Sequence, residues 1–303
     1  MHKLAHIAFW ALGIIWGSNF IYMKMAAVYV SAEQIVLLRV FFGFIPVALF
    51  ALFSGAIKLS HLRHLKHFIM MALLATLAYY YGFAKGTSLL DSGIAGALSG
   101  SIPIFALLLA LLLKQARPSA ANIAGLCTGF LGICLIAAPF DSTTHGASLE
   151  GSLYMALGSL SLGASFIYAK RFILPLGISG VALTCYQLGL ALLVLLCTTE
   201  LEGITRMAQD THTLLGVILG LGTLGTGIAY LSYYYIIDKL GAVTAASASY
   251  IPPVVALFIG AVIAGEHIEV NDYLSASLIL GAVVLTQYKP STSRSKPVRC
   301  EAA

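Results

Sequence analysis

"GSNFIYMK" occupies residues 17–24 and "GASFIYAK" occupies residues 163–170, so five of eight positions recur at an offset of 146. The triplet "ALG" precedes both, at 11–13 and at 156–158. Other features pair at an offset of 149: "SIP" at 101–103 with "YIP" at 250–252, Gly132 with Gly281, and Tyr81 with Tyr230. The chain therefore reads as two copies of one unit, over residues 1–140 and 149–290, joined by the polar segment "PFDSTTHGASLE" and followed by a basic tail, 291–303.

Composition says where each unit lives. Of 303 residues, 59% are hydrophobic and 10% charged, against roughly 25% charged in soluble domains. The apolar residues fall in ten blocks: 5–23, 32–53, 67–87, 92–113, 120–138, 149–169, 181–199, 213–237, 242–264 and 270–288. About 20 apolar residues cross a bilayer core as helix. Lipid gives the backbone no hydrogen-bond partner, so runs of this kind must be helical. The predicted fold is an all-α integral membrane protein of ten transmembrane helices. Five helices per unit is an odd number, so the second copy runs opposite to the first, and the halves form an inverted repeat of the kind secondary transporters use.

Lys3 ahead of an apolar core suggests a cleaved signal in the first block, but its octapeptide recurs in the sixth block, which assigns it to the mature fold. Four of the five cysteines lie in apolar blocks and Cys300 in the tail, a spacing that suits neither disulfides nor zinc. Lys and Arg gather on the cytoplasmic side of short loops. With the N-terminus inside, the inner segments hold 13 of them (Lys3, Lys58, Arg63, Lys66, Lys114, Arg117, Lys170, Arg171, Lys239, Lys289, Arg294, Lys296, Arg299) and the outer ends hold three (Lys24, Lys85, Arg206), with Arg39 set aside as intramembrane. Both termini are expected in the cytoplasm. The net charge of +5 then reflects topology and contact with anionic lipid, not nucleic acid.

"WGSNFIYMK", "LLRVFFGFIPVAL", "SGSIPIFALLLALLL", "GASFIYAKR", "GTGIAYLSYYYIIDKLGAVTA" and "IPPVVALFIGAVIAGE" follow one another along the chain. In this order they resemble the ten-helix EamA family of the drug/metabolite transporter superfamily. The likeness covers all ten blocks. One departure is visible: the family's Gly-Glu pair after the fourth and ninth helices survives as Gly265-Glu266 but reads Lys114-Gln115 in the first half. The resemblance implies export or exchange of small metabolites, often amino acids, across a bacterial inner (plasma) membrane, with no cofactor and no catalysis.

Inverted-repeat carriers bind near the midplane, where helices break at matching places. Pro103 in the fourth helix and Pro252 and Pro253 in the ninth mark such places and serve as candidate hinges. A proline frees the carbonyl four residues before it, here those of Ser99, Ala248 and Ser249. Small and hydroxylated residues around them serve close packing equally well. The candidate solute contacts are Trp16, Asn19, Arg39, Tyr80, Ser99, Tyr230 and Ser249. Asn19 either cross-links helices or meets solute. Tyr233–Tyr235 read as an interfacial belt. Arg39, about two turns into the second helix, has three readings: snorkelling outward, pairing with Glu33, or attracting an anionic solute group.

All twelve acidic residues fall at block ends, in loops or in the tail. Proton-coupled pumps and cationic-drug exporters use a midplane carboxylate, and the related small multidrug exporters carry theirs in the first helix, where this chain has none. That weighs against a drug/proton antiporter and leaves small neutral or zwitterionic metabolites such as amino acids as the expected solutes. The aromatic residues would also suit a nucleoside-like or adenosyl solute. "HLRHLKH" at 61–67 spaces three histidines without a carboxylate or cysteine partner, which fits an interfacial segment better than a metal site. No phosphate loop or nucleophile elbow accompanies it. "GVILG" at 216–220 offers either an internal crossing or a homodimer face.

The orientation is directly testable. In a cysteine-free background, a cysteine introduced at residue 56 should react only from the cytoplasmic side. Labelling of a cysteine at residue 145 only from the cytoplasm would reverse the topology.

Overall fold

The computed structural model describes residues 2–114, 119–137, 148–240, 245, 248–267 and 269–287. Their regular structure is all helical, with no strand among them. The helices are α1 (His2–Ala26), α2 (Ala32–Phe53), α3 (Leu59–Leu89), α4 (Ser92–Leu112), α5 (Ala120–Ala137), α6 (Leu149–Leu176), α7 (Gly180–Thr198), α8 (Thr211–Leu240), α9 (Ala248–Ile263) and α10 (Val270–Gln287). Seven are long and apolar enough to span a bilayer, and α5, α9 and α10 are shorter apolar helices. The exposed surface carries large apolar side chains such as Leu193, Leu196, Val262 and Ile263, as a lipid-facing surface requires. The tail and most of the polar joint lie outside the described residues.

The helix starts are written locally. Ser31 and Gln34 form a reciprocal capping box on α2, which satisfies two otherwise orphaned groups. Gln34 Nε2 also donates to the carbonyls of Glu200 (2.8 Å) and Glu202 (2.9 Å), tying α2 to the loop after α7. Ser179 caps α7 by accepting from the Ala182 amide, 148 residues after Ser31. Asp210 caps α8 through the amides of His212 and Thr213. Helix α4 is capped from a distance. Asp91 makes no cap bond. Instead Glu266, beyond the end of α9, accepts from the amides of Ser92 (2.7 Å) and Gly93 (2.9 Å). A carboxylate there meets both the free donors and the positive end of the helix dipole. Gly265 takes the left-handed turn before it at φ 65°. In the first half Lys114 adopts the corresponding conformation at φ 54°, at a cost of about 1 kcal/mol for a side chain. Gln115 lies outside the described residues.

The two octapeptides do equivalent work. Gly17 of α1 packs on Pro252 and Val255 of α9, and Gly163 of α6 packs on Phe105 and Ala106 of α4. A Cβ at either glycine would crowd its neighbour, so both permit a close helix crossing. The first half therefore reaches into the second through α1 and α9, and the second into the first through α6 and α4. Helix α2 lies along α8 through Gly43 on Thr226, Phe42 on Gly222 and Pro46 on Gly227. Tyr22 covers Gly216 and Gly220, so the "GVILG" groove is filled from within the same chain. The matched glycines Gly132 and Gly281 differ in role. Gly132 meets Ile279 and the Ser275 carbonyl of α10, whereas nothing lies within 4 Å of a Cβ at Gly281.

Both halves carry irregular backbone, in α4 and in α9. In α4, helical segments Ser92–Ser99 and Ile102–Leu112 are separated by Gly100 and Ser101. In α9, a tight turn over Ala248–Tyr250 precedes the segment Ile251–Phe258. The prolines sit one step later than the sequence suggested. Pro103, Pro252 and Pro253 occupy the first turn of the second segment, where a missing N–H costs nothing. They start a segment and do not kink its interior.

A Cβ at Gly96 would collide with that of Ala256 where α4 crosses α9. Gly96→Ala should therefore destabilise the fold by about 1–3 kcal/mol. Gly281→Ala should be neutral or slightly stabilising. Thermal unfolding in detergent reads both, and equal melting temperatures for the two variants would contradict the crossing.

Candidate functional site: a central cavity

A cavity of about 480 Å³ lies between the two units. Its walls come from α1 (Trp16, Asn19, Phe20, Met23), α2 (Arg39), α3 (Tyr79, Tyr80, Phe83), α4 (Ser99, Ile102, Pro103, Ala106, Leu107), α6 (Leu162, Phe166), α8 (Tyr230, Tyr233) and α9 (Ser249, Tyr250, Pro252). The break in α4 contributes Ser99, and the turn that opens α9 contributes Ser249. The seven side chains proposed from sequence all border this one space, as do Pro103 and Pro252. Pro253 does not. It is buried and packs toward Gly100 at the break in α4, because successive helix positions point about 100° apart.

One end of the cavity is closed. Phe20, Met23, Arg39, Tyr80 and Phe83 are each buried there, and the rings of Phe20 and Phe83 lie 5.9 Å apart. At the other end Trp16, Leu107 and Tyr233 are half-buried and Phe166 is 51% exposed. The least buried part of the wall is the end where α4 finishes, which we read as the open end.

Arg39 forms part of the closed end and is only 3% exposed. Its Nε donates to Thr226 Oγ1 at 2.9 Å, an Nη approaches Met23 Sδ at 3.9 Å, and its guanidinium carbon sits 3.8 Å from the centre of the Tyr80 ring. Thr226 in turn donates to the Leu221 carbonyl, five residues back, at 3.1 Å. That reach exists because Gly216–Ile228 is wound as a π-helix, a form concentrated at functional positions. Among the described residues the ion pairs within 4.0 Å are Lys24–Asp91 and Lys239–Asp238. Arg39 therefore neither snorkels nor pairs with a carboxylate. Glu33 interacts instead with Ser31, Tyr81 and Lys85. Arg39 faces inward because the α2 surface carrying Gly43 and Pro46 is held against α8, which leaves the guanidinium between Thr226 and the Tyr80 ring.

The remaining polar groups are few. Tyr230 lies beside Tyr79 and Tyr80 in the cavity wall. Ser99 Oγ donates to the Gly96 carbonyl at 2.6 Å, keeping its lone pairs as acceptors. Asn19 Oδ1 is pressed against Gly225 and makes no hydrogen bond, so the amide does not cross-link helices. The Tyr250 hydroxyl is likewise buried without a partner. Trp16 and Tyr233 face each other at 5.9 Å, so Tyr233 is a cavity wall and not a belt residue. Tyr234 is also internal: its hydroxyl meets Thr184 Oγ1 at 3.0 Å and its ring fills the space beside Gly180. Tyr81 packs edge-on against Tyr154, away from the cavity. The three loop histidines diverge, with His61 against Tyr186, His64 accepting from Arg63 and His67 bonded to Tyr168.

The sequence reading leaves out Phe20, Met23 and Thr226 and assigns Tyr233 to the interfacial belt. The first two had a signal: 16, 19, 20 and 23 are spaced i, i+3, i+4, i+7, one face of a helix. Tyr233 lies one turn from Tyr230 on the same face. Thr226 had none, since its role depends on the π-register of α8.

This fold and this cavity define a polytopic membrane protein built around a solute-sized central space. The chain belongs to the EamA-like transporter family, whose model matches residues 3–138 and 149–288. It is 26% identical to the uncharacterized transporter YoaV of Bacillus subtilis (strain 168), over 91% of this chain and 94% of that protein. It is also 26% identical to the uncharacterized inner membrane transporter YedA of Escherichia coli (strain K12), over 96% of this chain and 93% of that one. A solved crystal structure shares the fold with a TM-score of 0.59 at 17% identity, covering 93% of this chain and 95% of its own.

Thr226→Val would remove the acceptor that Arg39 uses and leave a buried charged donor unmatched, so it should lower stability by about 1–3 kcal/mol. Thr226→Ser should restore most of it. Unfolding of the purified protein in detergent reads the difference, and identical melting of the Val and Ser variants would show that the bond contributes nothing.

Proposed function

We propose that the protein is a secondary transporter that moves small metabolites, amino acids among them, through the central cavity by alternating access, as an exporter or exchanger. The observation that supports this most is the cavity itself, walled by the broken helix α4 of one half and the turn that opens α9 in the other, with few polar groups in a mostly apolar lining, as solute sites usually are. The two repeats, 1–140 and 149–290, are the bodies proposed to rock around it. With both termini in the cytoplasm, the open end faces inward and the Phe20–Phe83 contact lies on the outer side. Solute loading from the cytoplasm is what an exporter needs in this state. Ser99, Ser249, Asn19, Tyr80 and Tyr230 are the proposed polar contacts, and Trp16 an apolar wall.

A nucleoside-like solute would fit the aromatic wall, but no lining residue among those described is an acidic group to hold a ribose diol. The drug/proton antiporter reading needs a carboxylate that takes up a proton. The best placed is Asp91, between α3 and α4, where burial and then the neighbouring Glu266 carboxylate push the acid above its ordinary range while Lys24 pulls it down. It sits outside the cavity wall. Ser99→Ala and Tyr230→Phe should each weaken solute binding roughly five- to a hundredfold without loss of a monodisperse detergent profile. Wild-type binding and transport by both would move the site elsewhere. Neutralising Glu33, Asp91 or Asp238 should leave substantial exchange in proteoliposomes. Loss of proton-driven flux with retained exchange in Asp91→Asn would favour the antiporter instead.

A further inference from the structure

We propose that the cavity is selective for a monoanion: the solute presents a carboxylate to Arg39, carries no second charge, and fills the remaining space with an apolar or aromatic body. This rests on the reading of the cavity as the solute site and narrows its substrate class.

Arg39 is the sole charged side chain among the described residues that line the cavity. It is 3% exposed, and a guanidinium stays protonated in any protein environment. A buried charge without a counter-charge is costly, and the partners found recover only part of that cost. Thr226 occupies Nε, the Met23 thioether is a weak acceptor, and the Tyr80 ring covers one face. A guanidinium has five N–H donors, so most of its hydrogen-bonding edge is left for a ligand. A carboxylate matches that edge with two parallel bonds.

Charge then ranks the solutes. A monoanion brings the site to neutrality. A zwitterion does the same with its carboxylate but brings an ammonium that finds no carboxylate in the wall, and the lone amide acceptor, Asn19 Oδ1, is pressed against Gly225. Aromatic faces such as Trp16 and Tyr233 recover only a little of the ammonium's lost hydration. A cation is repelled by Arg39 at every depth. The expected order is monocarboxylate, then amino acid, then amine of the same carbon skeleton. Because Arg39 forms the closed end, the carboxylate enters first and the apolar body trails toward Trp16 and Leu107.

Thiol chemistry tests this. In a background without Cys127, Cys134, Cys185, Cys197 and Cys300, one cysteine is placed deep in the cavity (Asn19→Cys) and, separately, one at its mouth (Leu107→Cys). The rates of modification by anionic sulfonatoethyl and cationic trimethylammonioethyl methanethiosulfonates are then compared. At residue 19 the anionic reagent should gain about tenfold or more over its mouth-normalised rate, and Arg39→Gln should abolish the gain. 3-Phenylpropionate should protect residue 19 at lower concentration than phenylalanine, and phenethylamine should not protect. This ranking is read in protein that retains Arg39, so it stands even if the Gln variant does not fold. Equal rates at residue 19, or protection by phenylalanine or phenethylamine as good as by 3-phenylpropionate, overturns the charge preference while leaving the cavity in place. An anionic preference that survives Arg39→Gln removes it from Arg39. Modification at residue 107 with none at residue 19 means that the cavity is not a solute path, and both readings fall.

Discussion

Hydrocarbon gives a backbone amide nothing to bond to, and the rest of this structure follows from that. Ten apolar segments become helices because no other local form satisfies their own N–H and C=O groups. Irregular backbone is then tolerated only inside the bundle, and it occurs there, at Gly100 and Ser101 in α4 and at Ala248–Tyr250 in α9. The same constraint explains Glu266. A helix that starts within the bundle at Ser92, where Asp91 makes no cap bond, takes its acceptor from the segment that follows α9, and that bond ties α4 to the end of α9.

A second consequence concerns charge. A guanidinium buried in such a bundle has to be held by something, and here a threonine on a π-wound helix and the face of a tyrosine do it. The wide turn of α8 brings Gly222, Gly225 and Gly227 against α2 and α1 and presents the Thr226 hydroxyl in the right direction. Packing, hydrogen bonding and the electrostatics of the cavity thus meet on one short glycine-rich stretch. The electrostatic sign of the site is positive, opposite to that of carriers built around a midplane carboxylate.

The helices were legible in the sequence because apolar block length and bilayer thickness leave little choice: the second block, 32–53, coincides with α2 as built. Recurrence of "GSNFIYMK" marked the repeat, whereas the crossings of α1 on α9 and of α6 on α4 that its glycines permit became visible only in the packing. Side-chain direction was less legible. Arg39 could be placed in α2 but not aimed, because aiming it depends on which face of α2 meets α8. Tyr233 was read by its distance from a helix end, whereas its facing across to Trp16 decides its role. Thr226 and Glu266 act through non-local partners, a π-register in one case and a capped helix 174 residues away in the other, and neither leaves a trace in local spacing.

The central claim is that a solute's acidic group rests on Arg39 inside this cavity. A crystal soaked with 4-bromobenzoate tests it most directly, because bromine reports its own position by anomalous scattering. The account predicts a peak within the cavity, near Trp16 and Tyr233, with the carboxylate at hydrogen-bonding distance from the Arg39 guanidinium. An occupied bromine site with the carboxylate turned away from Arg39, or bromine bound outside the cavity alone, would contradict it.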